Sequence, residues 1–340
     1  MTTYDQKNPV DSKKVTLSDI AVDSGVSMST VSRVLNQTGT VRKSTVSKVM
    51  ESVRKLHYEI QPAAATRSST VGLILVCLPS IENPFYYDIV KGIKTAAMQH
   101  GYETLIHEGH INTGTLRSLQ EKIKITHAVG LIVCNQVSEG VLRSLSDTLP
   151  VMQCCEFNPD VNLSYVAVDD VKTSIKVIEY LASLGRKRIG LLNGPENFRY
   201  AQNRLKGYLL GLERCGLPFD PSMAISVPTV QYNLGISSAI HLLNSHQRPD
   251  AIYAASDVFS ISAVRAAFQM GLQVPKDLAV VGVDNTQISA AVVPSLTTIN
   301  MPRIQLGFVA CEVLSDLIAS PDMPVKQVVL DTEMIVREST

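Results

Sequence analysis

Long apolar runs are missing from this 340-residue sequence, and no stretch approaches the ~20 consecutive apolar residues that a membrane-spanning helix requires. A secretion signal is missing too, since the opening MTTYDQKNPVDSKK contains no apolar segment. Both absences argue for a chain that stays in the cytoplasm and has no membrane partner. Cys77, Cys134, Cys154, Cys155, Cys215 and Cys311 form no CxxC pair and no Cys/His cluster at metal spacing. Buried, reduced thiols are therefore expected, and no metal site is. The marks of catalysis are equally scarce: no GxGxxG follows the first strand, and GxxxxGK[ST], HExxH and GxSxG do not occur. Cys154-Cys155 at a strand end is the one candidate nucleophile, and no histidine is placed by sequence to activate it. The sequence thus points to no catalytic residue and no cofactor. Internal repeats and low-complexity tracts are absent as well.

An excess of either charge sign is also lacking, with 31 basic residues against 31 acidic ones. That balance hides a local asymmetry. Between Ser12 and Tyr58 stand eight basic residues (Lys13, Lys14, Arg33, Arg42, Lys43, Lys48, Arg54, Lys55) and three acidic ones (Asp19, Asp23, Glu51). The segment carries +5, so the rest of the chain carries −5. A basic head on an acidic body suits a polyanion partner held by the head alone. The length calls for two or three domains, and a hydrophobic content of 45% marks a well-packed globular chain.

The head has a local pattern. Leu17, Ile20 and Ala21 share one helical face, and Gly25 supplies a turn where a positive φ costs only glycine little. Ser27 is placed to cap a second helix, in which Val31, Val34 and Leu35 face inward while Met28, Ser29, Ser32 and Arg33 face outward. Two short helices around a glycine turn form a helix-turn-helix. A third helix, opening near Ser44 with Val46, Val49, Met50, Val53 and Leu56 on one face, would close a small three-helix core.

The run VTLSDIAVDSGVSMSTVSRVLNQTGTVRKSTVSKVMESVRKLHYEIQP resembles the DNA-binding head of the lactose-repressor family of bacterial regulators. The resemblance implies that the second helix enters the major groove with Met28, Ser29 and Arg33 reading base edges. Arg33 suits a bidentate contact to guanine, and Met28 an apolar one to a thymine methyl. By position, Thr16, Asn36, Thr45 and Tyr58 would contact phosphates, which set register without reading sequence. The domain division expected is 14–60 for the DNA-binding domain, 61–70 for a degenerate hinge and 71–340 for effector binding and dimerisation. The hinge departs from the family pattern: it is short, Arg67 stands where a minor-groove leucine belongs, and the Ser/Thr tail reads as a flexible linker.

From Val71 onward, apolar strand candidates alternate with amphipathic helices. The strand candidates are Val71–Leu78, Glu103–His107, Gly130–Cys134, Val151–Cys155, Tyr165–Val168, Arg188–Leu192, Ala251–Ala255 and Ala279–Val283. Helix patterns cover Tyr86–Gln99, Val171–Leu184, Arg204–Cys215, Leu234–Asn244 and Val258–Met270. The fold class expected is α/β: a three-helix head followed by two doubly wound parallel-sheet subdomains of periplasmic-binding-protein type. In such sheets ligands sit beyond the carboxyl ends of the strands. Phe85, Tyr86, Phe157 and Tyr253 there offer aromatic platforms, and Arg204 and Asp284 a charged pair; Arg204 and Asp284 also match ligand-gripping positions of the family. Phe157 and Tyr253 read equally well as core, and Asp257 as a helix cap. The set suits a neutral polyol or a nucleoside.

The stretch GPENFRYAQNRLKGYLLGLERCGLPFDP resembles the cytidine-responsive branch of the family more than its sugar-responsive members. The resemblance implies a transcriptional repressor whose affinity for a palindromic double-stranded operator is set by a nucleoside such as cytidine, or else by a sugar. It implies a homodimer, and the ending MIVREST carries no heptad extension of the kind that builds tetramers. A regulator acting through a partner protein instead of an effector stays open. A transporter's solute-binding protein fits the body but not the head.

Overall fold

The structure, a computed structural model, describes residues 15–35, 41–56, 58 and 72–340. Asn36 and the linker at 61–70, with Arg67, lie outside the described residues. The chain divides into two units, Met1–Thr70 and Val71–Thr340.

In the first unit, α1 (Leu17–Ser24), α2 (Met28–Leu35) and α3 (Lys43–Lys55) surround a core of Ile20, Val31, Val34, Val49 and Val53. Thr16 opens α1 through a reciprocal cap. The Asp19 amide donates to Thr16 Oγ1 at 3.3 Å, and the Thr16 amide donates to Asp19 Oδ2 at 2.8 Å. Gly25 ends α1 at φ 67°, a conformation that L side chains resist. Ser27 Oγ accepts from the Thr30 amide at 3.3 Å, satisfying one of the amides that a helix start leaves open.

The second unit begins with β1 (Gly72–Leu78), α4 (Phe85–Gln99), β2 (Tyr102–Glu108), α5 (Leu116–Thr126), β3 (Ala128–Val133), α6 (Glu139–Ser146), β4 (Val151–Cys154) and β5 (Tyr165–Val168). After α7 (Asp170–Ser183) follow β6 (Ile189–Asn193), α8 (Arg199–Arg214), β7 (Ala224–Ser226), α9 (Tyr232–Leu243), β8 (Ala251–Ala254), α10 (Asp257–Gln269), β9 (Ala279–Asp284), α11 (Gln287–Ala291) and β10 (Thr297–Asn300). The chain closes with α12 (Arg303–Ala319), β11 (Gln327–Leu330) and β12 (Glu333–Ile335). One sheet has the order β11-β5-β4-β3-β1-β2 and the other β12-β10-β9-β8-β6-β7. Among the described residues every pairing is parallel except the edge pair β10 with β12, in keeping with the α/β fold expected.

The chain crosses between the two subdomains three times, at 168–170, 300–303 and 330–333. Helix α12 therefore belongs to the first subdomain although it follows the second in sequence. Its Leu306, Ala310, Cys311 and Leu314 complete a core with Ile89, Ile93 and Val76. Helices α4 and α12 touch backbone to backbone. A Cβ on Gly92 would stand 2.1 Å from the Ile304 carbonyl, and one on Gly307 would stand 2.0 Å from that of Ile89. Gly92→Ala should therefore separate the helices and cost about 1–3 kcal/mol by overpacking. Thermal denaturation would show a melting temperature lower by several degrees. An unchanged one would contradict this contact.

Candidate functional site

In a parallel sheet, the loops leaving the carboxyl ends of the strands gather at one edge. Here the two sheets turn those edges toward a shared cavity of about 190 Å³. A cavity of ~150 Å³ accommodates a benzene ring, so this one takes a molecule of one or two rings. The first subdomain contributes Phe85 and Tyr86 at the start of α4, His110 after β2, and Glu156 after β4. The second contributes Phe198, Tyr200 and Arg204 on or before α8, Ser256 after β8, and Asp284 at the end of β9.

Arg204 is buried within the site. Its Nε donates to Asp170 Oδ1 at 2.8 Å, its Nη1 donates to the Ala255 carbonyl, and its guanidinium lies 4.9 Å from the centre of the Tyr200 ring. Asp170 starts α7, just past the first crossing between subdomains, so this ion pair ties the hinge to the cavity wall. Burial raises the Asp170 carboxyl above its ordinary value, against the pull of Arg204. Asp284 sits at φ 117° and is 4% exposed. Burial, and then the nearby Asp257 carboxyl, push Asp284 up to about 8. The cavity thus holds one arginine already engaged by a carboxylate, a carboxyl poised between its two forms, and aromatic walls. Such a site favours stacking rings and hydroxyl hydrogen bonds over an anionic group.

Four of the six expected ligand-gripping residues, Phe85, Tyr86, Arg204 and Asp284, share this cavity wall. The other two do not. Tyr253, in the middle of central strand β8, is fully buried among Val177, Ile178 and Tyr208, with its hydroxyl 2.8 Å from Ser174 Oγ. It points across the sheet to α7 instead of past the strand end, so it is core. Phe157 stacks on Tyr165 at 3.8 Å between ring centres and carries the Arg199 guanidinium at 4.3 Å. The backbone turns at Cys155, φ 70°, so that Glu156 lines the cavity and Phe157 does not. Asp257 is not the helix cap, a role Ser256 fills by accepting from the Phe259 amide at 3.2 Å; Asp257 instead accepts from the Thr286 amide at 2.6 Å, Thr286 Oγ1 at 2.9 Å and Thr298 Oγ1 at 2.7 Å, holding the turn that presents Asp284. The cavity also takes His110, Glu156, Phe198 and Tyr200, whose only signal in the sequence is position: His110 and Glu156 follow strand ends, and Phe198 and Tyr200 stand at the start of the helix after β6.

On the first unit, Ser29 and Arg33 are exposed and Met28 is half exposed, whereas Val31 and Val34 on the same helix are buried. The α2 surface therefore offers an apolar, a hydroxyl and a cationic group side by side. Thr16 donates its hydroxyl to Asp19 Oδ2 at 2.7 Å, so it is engaged in capping α1. Thr45 is half buried near the start of α3. Tyr58 packs against the head core, and its amide donates to the Val53 carbonyl at 2.9 Å. Among the described residues, no group of three or more His, Cys, Asp or Glu side chains could hold a metal ion. Among them too, no helix is long and apolar enough to cross a membrane.

Comparison with known proteins follows the same division. Residues 16–61 match the family described as bacterial regulatory proteins, lacI family, and residues 178–340 match a periplasmic binding protein-like domain. The HTH-type transcriptional repressor CytR of Escherichia coli (strain K12) is 32% identical over 338 residues, covering 96% of each chain. The HTH-type transcriptional regulator DegA of Bacillus subtilis (strain 168) is 30% identical, covering 96% of this chain and 98% of its own. Among solved structures, a transcriptional regulator CelR–cellobiose complex superposes with a TM-score of 0.73 at 25% identity, covering 96% of this chain and all of that one.

Proposed function

Because the chain belongs to the lacI family of bacterial regulatory proteins, DNA-binding transcriptional regulators, we propose that its cavity is the effector site that sets operator affinity. The single observation that carries this reading is the presence of both Arg204 and Asp284 on the wall of a cavity lined by both subdomains, at the carboxyl ends of their strands. A ligand that bridges the two walls prefers one arrangement of the subdomains, and that preference is what allostery requires. The effector is a nucleoside such as cytidine. Aromatic walls receive the base, Asp284 accepts from ribose hydroxyls, and among the described residues of the wall no lysine or second arginine awaits a phosphate, Arg204 being engaged by Asp170. The likeness of residues 194–221 to the cytidine-responsive branch supports the same choice. A sugar is the second reading, favoured by the cellobiose-bound relative.

In this account residues 14–60 bind DNA, 61–70 link, and 71–340 bind effector and pair two chains. Met28, Ser29 and Arg33 read bases, and Thr16, Asn36, Thr45 and Tyr58 hold phosphates. Two heads on one palindromic operator give avidity that a lone head lacks. The protein works in the cytoplasm. A thermal-shift titration against cytidine, other nucleosides, pentoses, hexoses and their phosphates tests the effector. Cytidine at about 100 times its dissociation constant should stabilise the fold by about 2.7 kcal/mol. A shift with a sugar alone would move the assignment to the second reading, and a shift with phosphorylated ligands alone would overturn both.

A further inference from the structure

The first subdomain's wall of the cavity carries a group that ligand contact alone does not account for. Glu156, just past β4 of the first subdomain, is 3% exposed. Its two carboxylate oxygens reach α8 of the second subdomain. Oε2 accepts from the Arg199 amide at 2.9 Å, and Oε1 accepts from the Tyr200 amide at 3.0 Å. These amides open α8, where the helix itself offers them no carbonyl. A carboxylate at a helix start also meets the favourable end of the helix dipole. The neighbouring residue repeats the connection by other means: Phe157, stacked on Tyr165, carries the Arg199 guanidinium at 4.3 Å. Two consecutive residues of one subdomain therefore hold two consecutive residues of the other.

Helix α8 also carries Arg204, one turn beyond this contact, and Tyr200 packs beneath the Arg204 guanidinium at 4.9 Å. The angle at which α8 meets the first subdomain thus decides where Arg204 stands in the cavity. We propose that Glu156 is a positioning residue which, with Phe157, clasps α8 across the cleft and so holds Arg204 in place for the effector. The proposal rests on the cavity being the effector site. Around Glu156 stand Cys155 on its own loop, Tyr86 on α4, Asp170 at the start of α7, and Arg199, Tyr200 and Arg204 on α8. Burial pushes the Glu156 carboxyl up to about 7, against the stabilising Tyr200 and Arg199 amides. The contact therefore buries a group that solvent would otherwise hold ionised, and it forms only where the two walls meet.

The clasp is tested by hydrogen exchange on the full-length protein without ligand, and by a cytidine titration of the same samples. First-turn amides of a helix ordinarily exchange fast; here those of Arg199 and Tyr200 should exchange about tenfold slower in the wild type than in Glu156→Ala. Amides deeper in α8 should not differ. Cytidine should then bind Glu156→Ala about tenfold more weakly, as expected when a charged hydrogen-bond partner is removed. A purely structural role would instead speed exchange throughout α8 and lower the melting temperature. Equal exchange at 199 and 200 in both proteins overturns the clasp, and faster exchange with unchanged cytidine affinity overturns the positioning role. If cytidine shifts the melting of neither protein, the nucleoside reading fails separately, and the exchange comparison still decides for or against the clasp. Should Glu156→Ala not fold, Arg199→Ala cuts the Phe157 contact at a half-buried side chain, and a smaller change of the same sign is expected.

Discussion

Asp284→Asn is expected to raise the melting temperature of the ligand-free protein and, in the same molecule, to erase its response to effector. The two effects share one cause. The carboxyl is buried beside Asp257, which raises it from an ordinary value of 3.8 to about 8. A carboxyl raised in the folded state favours folding fully below its unfolded value, and that contribution is lost as pH rises through the folded value. Wild-type stability should therefore fall between about pH 4 and pH 8, and Asp284→Asn should flatten that fall. Asparagine keeps the shape and tolerates the positive φ that Asp284 adopts, so relieving the buried charge should raise melting by several degrees near pH 8. The amide accepts hydroxyl donors far less well than a carboxylate. At pH 8 and above, where the carboxyl ionises, losing its charge-assisted hydrogen bonds costs about 1.5–3 kcal/mol, roughly ten- to hundredfold in effector affinity. Thermal scans across pH with and without cytidine check both halves. A variant that melts lower and still responds would remove Asp284 from the site.

Arg204→Ala is the less clean test of the same cavity. It would leave Asp170 buried without its partner, and breaking a buried pair costs about 3–5 kcal/mol. Loss of response in that variant would therefore mix misfolding with missing contacts.

The second large effect lies in the head. Arg33→Ala should leave the protein folded, because the side chain is exposed and Val31 and Val34 carry the core contacts of α2. It should relax base preference by about 1–3 kcal/mol at one position of each half-site, the usual worth of a bidentate arginine–guanine contact. Selection of binding sites from a random DNA pool by each protein reads this directly. The wild type should enrich a palindrome with a fixed base at that position, and the variant should enrich the same palindrome with that base degenerate. An identical consensus from both would show that another face of the head reads DNA.

The fold was largely legible where strands are apolar and central. Leu73–Leu78 and Ala279–Val283 stand out because both faces are covered by helices. Strands β7, β10, β11 and β12 were not, being short, polar or at sheet edges, as in Thr297–Asn300 and Gln327–Leu330. Helix α12 escaped because its polar residues, Arg303, Gln305, Glu312, Ser315 and Asp316, are scattered around a helix that fills the first subdomain's core, so it lacks the single polar face that betrays an amphipathic helix. The cavity was legible in kind but not in every residue. Strand-end positions bring Phe85, Tyr86, Arg204 and Asp284 together, since the topology sends all such ends to one cleft. Side-chain direction is a different matter: the left-handed turn at Cys155 exchanges Phe157 for Glu156, and no pattern of residue types announces it. Tyr253 falls one pleat away from the cleft, a difference that period-two alternation leaves open until the strand's end is known.

The most direct measurement is operator affinity of the full-length protein with and without cytidine, on the palindrome that the binding-site selection returns. Saturating cytidine should change that affinity by about 5–150-fold, and Asp284→Asn should bind the same DNA with no such change. Cytidine stabilising the body while operator affinity stays constant in both proteins would contradict this.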